Sequence, residues 1–227
     1  MSNIRLLAEV AKGLGPLLQS VVFVGGAVTE LYASDSAATE VRATDDVDCV
    51  VELVSYREFN VIKEELRKLE FKNDTESTVI CRWIYKGIKV DIMPNDASII
   101  GFTNQWYAEG IHNSVNLELE EHLTIRIFAP AWFLASKMVA FADRGKYEFR
   151  TSSDFEDIIY VLDNKPLIVE DIMSAGENVR NYLKGEFQKY LINNNLSEGI
   201  SCVLPYASGK ERIDRIKAIM EEISLLK

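Results

Sequence analysis

The stretch Thr44-Asp45-Asp46-Val47-Asp48-Cys49-Val50-Val51 constrains this chain more than any other. Acids alternate with apolar residues and then give way to a wholly apolar run. That pattern predicts a strand over 46–53 with its carboxylates at the entrance. Alternate residues of a strand share a face, so Asp46 and Asp48 project together, about 7 Å apart along the strand. Two carboxylates this close repel each other unless positive charge lies between them. A third acid, Asp91, sits inside the apolar run Lys89-Val90-Asp91-Ile92, in a strand expected over 88–93. Burying it unpaired would be costly. If the two strands are neighbours, Asp91 joins Asp46 and Asp48 as a third ligand. Hard oxygen donors with no accompanying His or Cys suit Mg²⁺ or Mn²⁺ rather than Zn²⁺. Asp45 points to the opposite face from Asp46 and reads as solvated.

A second feature lies upstream. Val21-Val22-Phe23-Val24 is a short β-branched run that ends at Gly25-Gly26, and a helix is expected over 27–33. Glycine lets a backbone approach a phosphate closely, and a following helix N-terminus offers free N–H groups to it. A phosphate cradle beside a carboxylate–metal cluster is the equipment of nucleotidyl transfer. Taken singly, a Gly-Gly pair is more often a turn, an Asp-x-Asp a surface pattern, and an Asp in a strand an ion-paired edge residue. Their order and contexts carry the inference.

The rest of the chain organises around these pieces. Apolar spacing predicts a helix from Ile4 towards Leu18, disturbed at its end by Gly13, Gly15 and Pro16. Residues 34–44 read as a loop, either a substrate lid or a connection. A helix is expected over 56–69, with Glu64 and Lys68 paired at i,i+4. Strands are expected over 78–85 and 88–93 around a tight Lys86-Gly87 turn. A short helix over 103–111 and a hairpin of 114–119 with 123–128 complete the first part. From Pro130 the pattern is helical: 131–142, then 154–162 opened by a capping box of Ser152/Ser153 with Glu156, a helix opened by Pro166, then 182–191 and 210–226, with Asn193-Asn194-Asn195 as a break. The expected fold is therefore α+β, a mixed β-sheet flanked by helices in residues 1–129 and a C-terminal helical bundle in 130–227.

Composition removes several alternatives. No stretch approaches the ~18 apolar residues of a membrane span, so no membrane partner is expected. Cys49, Cys81 and Cys202 are odd in number and scattered, which fits a reducing, cytoplasmic compartment. A net charge of −10 argues against broad binding to nucleic acid but leaves room for a local basic groove. Trp106, Tyr107 and Trp132 read as packing residues before base-stacking ones. His112 and His122 have no metal spacing, and the charged helix from Lys210 reads as a solvated face.

The order Gly-Gly, then Asp-x-Asp opening a strand, then Asp within a later strand resembles the DNA polymerase β-like nucleotidyltransferase superfamily. The segments Phe133 to Phe141 with Lys137, Asp143 to Lys146 with Arg144, and Ser153-Asp154-Phe155-Glu156-Asp157 resemble the AbiEii/AbiGii-type nucleotidyltransferases. The resemblance covers roughly residues 20–165. It implies the nucleotidyltransferase fold, the helical part completing the site, and a nucleotidyltransferase that moves an NMP from an NTP to a hydroxyl acceptor. The acceptor would be RNA (tRNA ends included) or protein, with the chain acting as the toxin of a type IV toxin–antitoxin pair and a cognate antitoxin as its partner. A small-molecule acceptor, as in antibiotic-modifying relatives, and a catalytically silent nucleotide- or partner-binding protein are the alternatives.

Carried onto this sequence, the resemblance makes Asp46, Asp48 and Asp91 the catalytic metal ligands, with Asp91 as base for the incoming hydroxyl. Gly25 and Gly26 form the phosphate turn. Lys137 contacts the nucleotide phosphates, Arg144 assists it, and Asp154 or Asp157 supplies the following acid. Without that resemblance, Lys137 reads as a lysine snorkelling from an amphipathic helix. The chain departs from the pattern at Ala27, where many members carry Ser or Thr, and in the 19 residues between Gly26 and Asp46.

Overall fold

The computed structural model describes residues 2–34, 41–53, 55–205 and 208–226. Residues 35–40, the middle of the expected loop or lid, lie outside them. The chain divides into two compact units, Met1–Val28 with Arg42–Ala129 and Thr29–Val41 with Pro130–Lys227. The segment 29–41, expected to belong with the sheet, therefore groups with the helical residues.

The first unit is α+β. Helix α1 (Asn3–Leu14) starts at Ser2, whose hydroxyl accepts from the Arg5 N–H, and buries Leu6, Leu7, Val10 and Leu14 along one stripe. It ends at Gly15, which has φ of 48°. A 3₁₀ helix (Gly15–Ser20) leads into β1 (Val21–Val24), and a second 3₁₀ helix (Gly26–Tyr32) follows where an α-helix is expected. Next come β2 (Asp46–Val51), α2 (Tyr56–Lys68), β3 (Lys72–Asn73), β4 (Arg82–Tyr85) and β5 (Ile88–Pro94). Short helices α3 (Ala97–Ile100) and α4 (Tyr107–His112) precede β6 (Ser114–Glu120) and β7 (Leu123–Phe128). The strands form one seven-stranded mixed sheet in the order β3-β4-β5-β2-β1-β7-β6. Strand β2 lies between antiparallel β1 and parallel β5, and β7 pairs with β1 in parallel. Strand β2 is thus paired along both edges, and Val47, Cys49, Val50 and Val51, which alternate between its two faces, are all buried.

Local chemistry explains where these elements depart from expectation. In α2 the ion pairs run Glu64 to Arg67 and Glu65 to Lys68, at i,i+3, and not Glu64 to Lys68. The strand expected from Thr78 begins only at Arg82. Asp74 accepts from the N–H groups of Glu76 and Ser77, and Ser77 accepts from Val79, so side chains hold a turn there in place of a ladder. Lys86 and Gly87, with φ of 49° and 82°, close the β4–β5 hairpin in the left-handed geometry such two-residue turns require. Helix α4 starts later than expected because Asn104 accepts from the Trp106 N–H and closes a turn ahead of it. Helix α3, unforeseen, is capped by Asp96, which accepts from the Ser98 N–H.

The second unit is helical: α5 (Pro130–Asp143), α6 (Ser153–Asn164), α7 (Ile168–Met173), α8 (Glu177–Leu191), α9 (Leu196–Val203) and α10 (Lys210–Ser224). Helix α5 buries residues on every side from Ala131 to Met138, as a central helix must, and packs on α6, α7 and α8. Ser152 caps α6 by accepting from the Phe155 N–H. Pro166 does not open α7. Leu167, at φ of 60°, intervenes and the helix starts at Ile168. Helix α8 begins five residues before the expected Tyr182, and α9 was not foreseen. Phe141, Phe149, Phe155 and Tyr190 form an aromatic core in which the Phe149 and Phe155 rings stand edge to face at 4.8 Å. Truncating one of these rings should cost about 3–5 kcal/mol.

Candidate metal centre

The parallel pairing of β2 and β5 places Asp48 opposite Asp91, and Asp46 opposite Lys89. The three carboxylates Asp46, Asp48 and Asp91 consequently meet at one end of the sheet, each offering an oxygen within 4.8 Å of the others. Asp91 is buried, whereas Asp46 and Asp48 keep partial access to solvent. Thr44 donates its hydroxyl to Asp46 Oδ1 at 2.7 Å. The approach to β2 is held from below. Buried Asn3, at the start of α1, donates to the Arg42 carbonyl at 3.0 Å and accepts from the Thr44 N–H at 3.2 Å.

Sequence reasoning missed Arg82. From β4 it grips Asp91 with two parallel bonds, Nε to Oδ1 at 2.8 Å and Nη2 to Oδ2 at 2.7 Å. Its Nη2 also lies 3.5 Å from Asp46 Oδ2. The hydrogen bonds to Asp91 raise the guanidinium's pKa above its ordinary value, so its charge is permanent. The signal was present in the sequence. Counting outward from the Lys86-Gly87 turn pairs Tyr85 with Ile88, Ile84 with Lys89, Trp83 with Val90 and Arg82 with Asp91. Two thiols also register the carboxylates. Burial, reinforced by the charges of Asp48 and Asp91, pushes Cys49 up. Burial and then Asp91 push Cys81 up to about 12. Both cysteines are neutral and buried, not ligands.

Gly25 abuts this group. It adopts φ of 75°, and a Cβ there would overlap the Asp48 carboxylate. Glycine thus serves both the turn and the acid's close approach. A Cβ on Gly26 would collide with the Arg42 guanidinium, which sets a cation against the same turn. The donor set tests well for a hard divalent ion: among the described residues the cluster consists of three carboxylates, with no His or Cys in it. The pattern of partial exposure leaves Asp46 and Asp48 accessible to such an ion.

Lys137, Arg144, Asp154 and Asp157 meet in the second unit. Lys137, on α5, is 4% exposed, buried and not snorkelling. It donates to Asp157 at 2.5 Å and to Asp154 at 3.3 Å, so both acids of α6 face it. Arg144 grips Asp154 through Nε at 2.7 Å and Nη2 at 2.8 Å. Burial opposes ionisation of Asp154, but the Arg144 hydrogen bond and the Lys137 and Arg144 charges outweigh it and hold its pKa below the ordinary value. With its ammonium engaged by two carboxylates, Lys137 would have to exchange partners to touch a phosphate. Trp106 and Trp132 are buried. His112 lies 3.4 Å from Glu52, and His122 stands exposed in the β6–β7 turn.

No helix among the described residues is long and apolar enough to cross a membrane. No family model matches the chain, and no curated protein matches it.

Proposed function

We propose that the chain is a metal-dependent nucleotidyltransferase that moves an NMP from an NTP to a hydroxyl acceptor. One observation carries this reading: Asp46, Asp48 and Asp91 converge from neighbouring parallel strands beside a glycine turn that a side chain would obstruct. Asp46 and Asp48 would hold Mg²⁺ or Mn²⁺, with Asp91 as the third carboxylate. The bound cation would neutralise charge on the reacting phosphate and on the acids around it. The Gly25-Gly26 turn packs closely against the Asp48 carboxylate and the Arg42 guanidinium, so Arg42 would offer positive charge to a triphosphate held beside the acids. The acceptor oxygen forms a bond to the α-phosphorus, the bond from that phosphorus to the bridging oxygen breaks, and pyrophosphate departs. Asp91 accepts the hydroxyl proton through a lone pair not engaged by Arg82.

For the acceptor, the reading keeps RNA or tRNA ends and protein first, with a toxin role opposite a cognate antitoxin. A net charge of −10 favours a short contact over a long nucleic-acid footprint. A second reading, a nucleotide-binding protein without turnover, draws on the two-point grip of Arg82 on Asp91 and on Ala27 after the glycine pair. The test is transfer of label from each α-³²P-labelled NTP to total RNA, to protein or to small hydroxyl compounds, with Mg²⁺ or Mn²⁺. Labelled product formed by the wild type and lost in Asp46→Ala/Asp48→Ala supports the enzyme. Equal labelling by both removes it, and nucleotide binding without product selects the second reading.

A further inference from the structure

Arg82 occupies an unusual position for a basic residue in a metal site. Its strand, β4, lies next to β5, so the antiparallel register delivers its guanidinium to Asp91 from the side, with both carboxylate oxygens engaged. The same guanidinium nitrogen that bonds Asp91 Oδ2 also reaches to 3.5 Å from Asp46. Arg82 is therefore a fixed positive charge touching two of the three acids that would surround a divalent ion. Its side chain is only 19% exposed, so bulk water screens it less than a surface arginine.

Resting on the metal reading above, we propose that Arg82 is a tethered counter-ion that competes with the divalent cation for Asp46 and Asp91. It keeps the triad together without metal and holds metal affinity low until a triphosphate brings further ligands. Two physical effects point the same way. A guanidinium beside a divalent ion repels it. Removing the guanidinium also leaves carboxylate repulsion that a divalent ion relieves. The opposite role, in which Arg82 merely orients Asp91 for the metal, predicts the opposite sign. Without Arg82 the ligand would swing away and affinity would fall.

The experiment titrates Mn²⁺ alone, without nucleotide, into the full-length chain and follows the electron paramagnetic resonance signal of free Mn²⁺. Arg82→Gln keeps a polar, hydrogen-bonding side chain, two atoms shorter than arginine's, and removes its charge. The expected result is binding tighter than wild type by roughly tenfold or more, since repulsion between one unit charge and a divalent ion reaches that scale even at the dielectric of bulk water. Arg82→Lys retains a charge but cannot span both oxygens, and should tighten binding by a smaller factor than Arg82→Gln does. It also keeps the test open should the Gln variant not fold. Affinity equal to or weaker than wild type in the folded variants overturns the role of Arg82 while leaving the metal site standing. No Mn²⁺ binding by the wild type or either variant overturns both the role and the metal reading beneath it.

Discussion

Two charged clusters, one in each unit, look alike in the sequence and differ in the folded chain. In the helical unit Lys137, Arg144, Asp154 and Asp157 match two cations to two carboxylates, and Lys137, Asp154 and Asp157 are almost fully buried. In the sheet unit three carboxylates converge, Arg82 contacts two of them, and Asp46 and Asp48 remain partly open to solvent. A sealed, matched cluster has made its electrostatic choice during folding. An accessible cluster rich in acid can still take up a cation. Charge balance and access, more than residue type, separate an ion network that builds a protein from one that binds something.

The comparison can be broken most forcefully at Lys137. Replacing it with alanine removes the buried ammonium that bonds both Asp154 and Asp157. The loss should be about 3–5 kcal/mol, as for other broken buried pairs, read from the midpoint of urea unfolding. A loss below about 1 kcal/mol would mean that the cluster is not structural.

The sheet cluster should behave in the reverse manner. Asp46→Ala/Asp48→Ala relieves repulsion, so the metal-free protein should unfold no earlier than wild type. What it should lose is ligand-dependent stabilisation, about 2.7 kcal/mol for a nucleotide–metal pair present at 100 times its Kd. Thermal-shift titration with each NTP and Mg²⁺ or Mn²⁺ measures this directly, and retention of the shift in the double variant would detach the acids from binding.

Gly25→Ala probes the join between turn and acid. It forces a Cβ into φ of 75° and against Asp48, for a cost of about 1–3 kcal/mol. The same substitution should weaken metal-dependent stabilisation, because Asp48 must move aside. Unchanged stability and unchanged response would show that the turn is looser than its geometry implies.

The smallest effect is expected at Arg144, whose side chain is 70% exposed. Arg144→Gln should cost under ~1 kcal/mol at neutral pH. Asp154 is the sharper readout. Its folded pKa lies below the ordinary 3.8, so its contribution is complete above that value and disappears as pH falls through the lower folded one. The variant raises the folded value, and acid unfolding should begin at higher pH than in wild type.

The sheet cluster was legible in the sequence, its contrast with the helical one was not, and the missing part has a common cause. Asp46, Asp48 and Asp91 announce themselves because a carboxylate in an apolar strand violates the local pattern. Gly25 does so because it punctuates a β-branched run. Arg82 violates nothing locally, since an arginine in a half-exposed strand is ordinary, and its meaning depends on register with another strand. Lys137 shows the same limit from the other side. Periodicity places it on a helix, but which acids reach its ammonium is decided by the packing of α5 on α6. Short elements were lost for a related reason. The two-residue β3 and the four-residue α3 rest on pairing and on a single cap, and leave no periodic trace.

The excursion of residues 29–41 has a consequence for how the molecule comes apart. The polypeptide passes between its two units three times, at 28/29, 41/42 and 129/130. Within the helical unit, the ring of Tyr32 lies 4.5 Å from that of Phe133, a contact spanning a hundred residues of chain. Cutting after residue 129 would leave the first fragment carrying Tyr32 without Phe133, and the second with a vacancy in its core. A cut there therefore divides the residues of the helical unit, and the Tyr32–Phe133 contact within it, between two fragments. Limited proteolysis near residue 129 should thus yield fragments that remain associated or fail together, not a free sheet and a free set of helices.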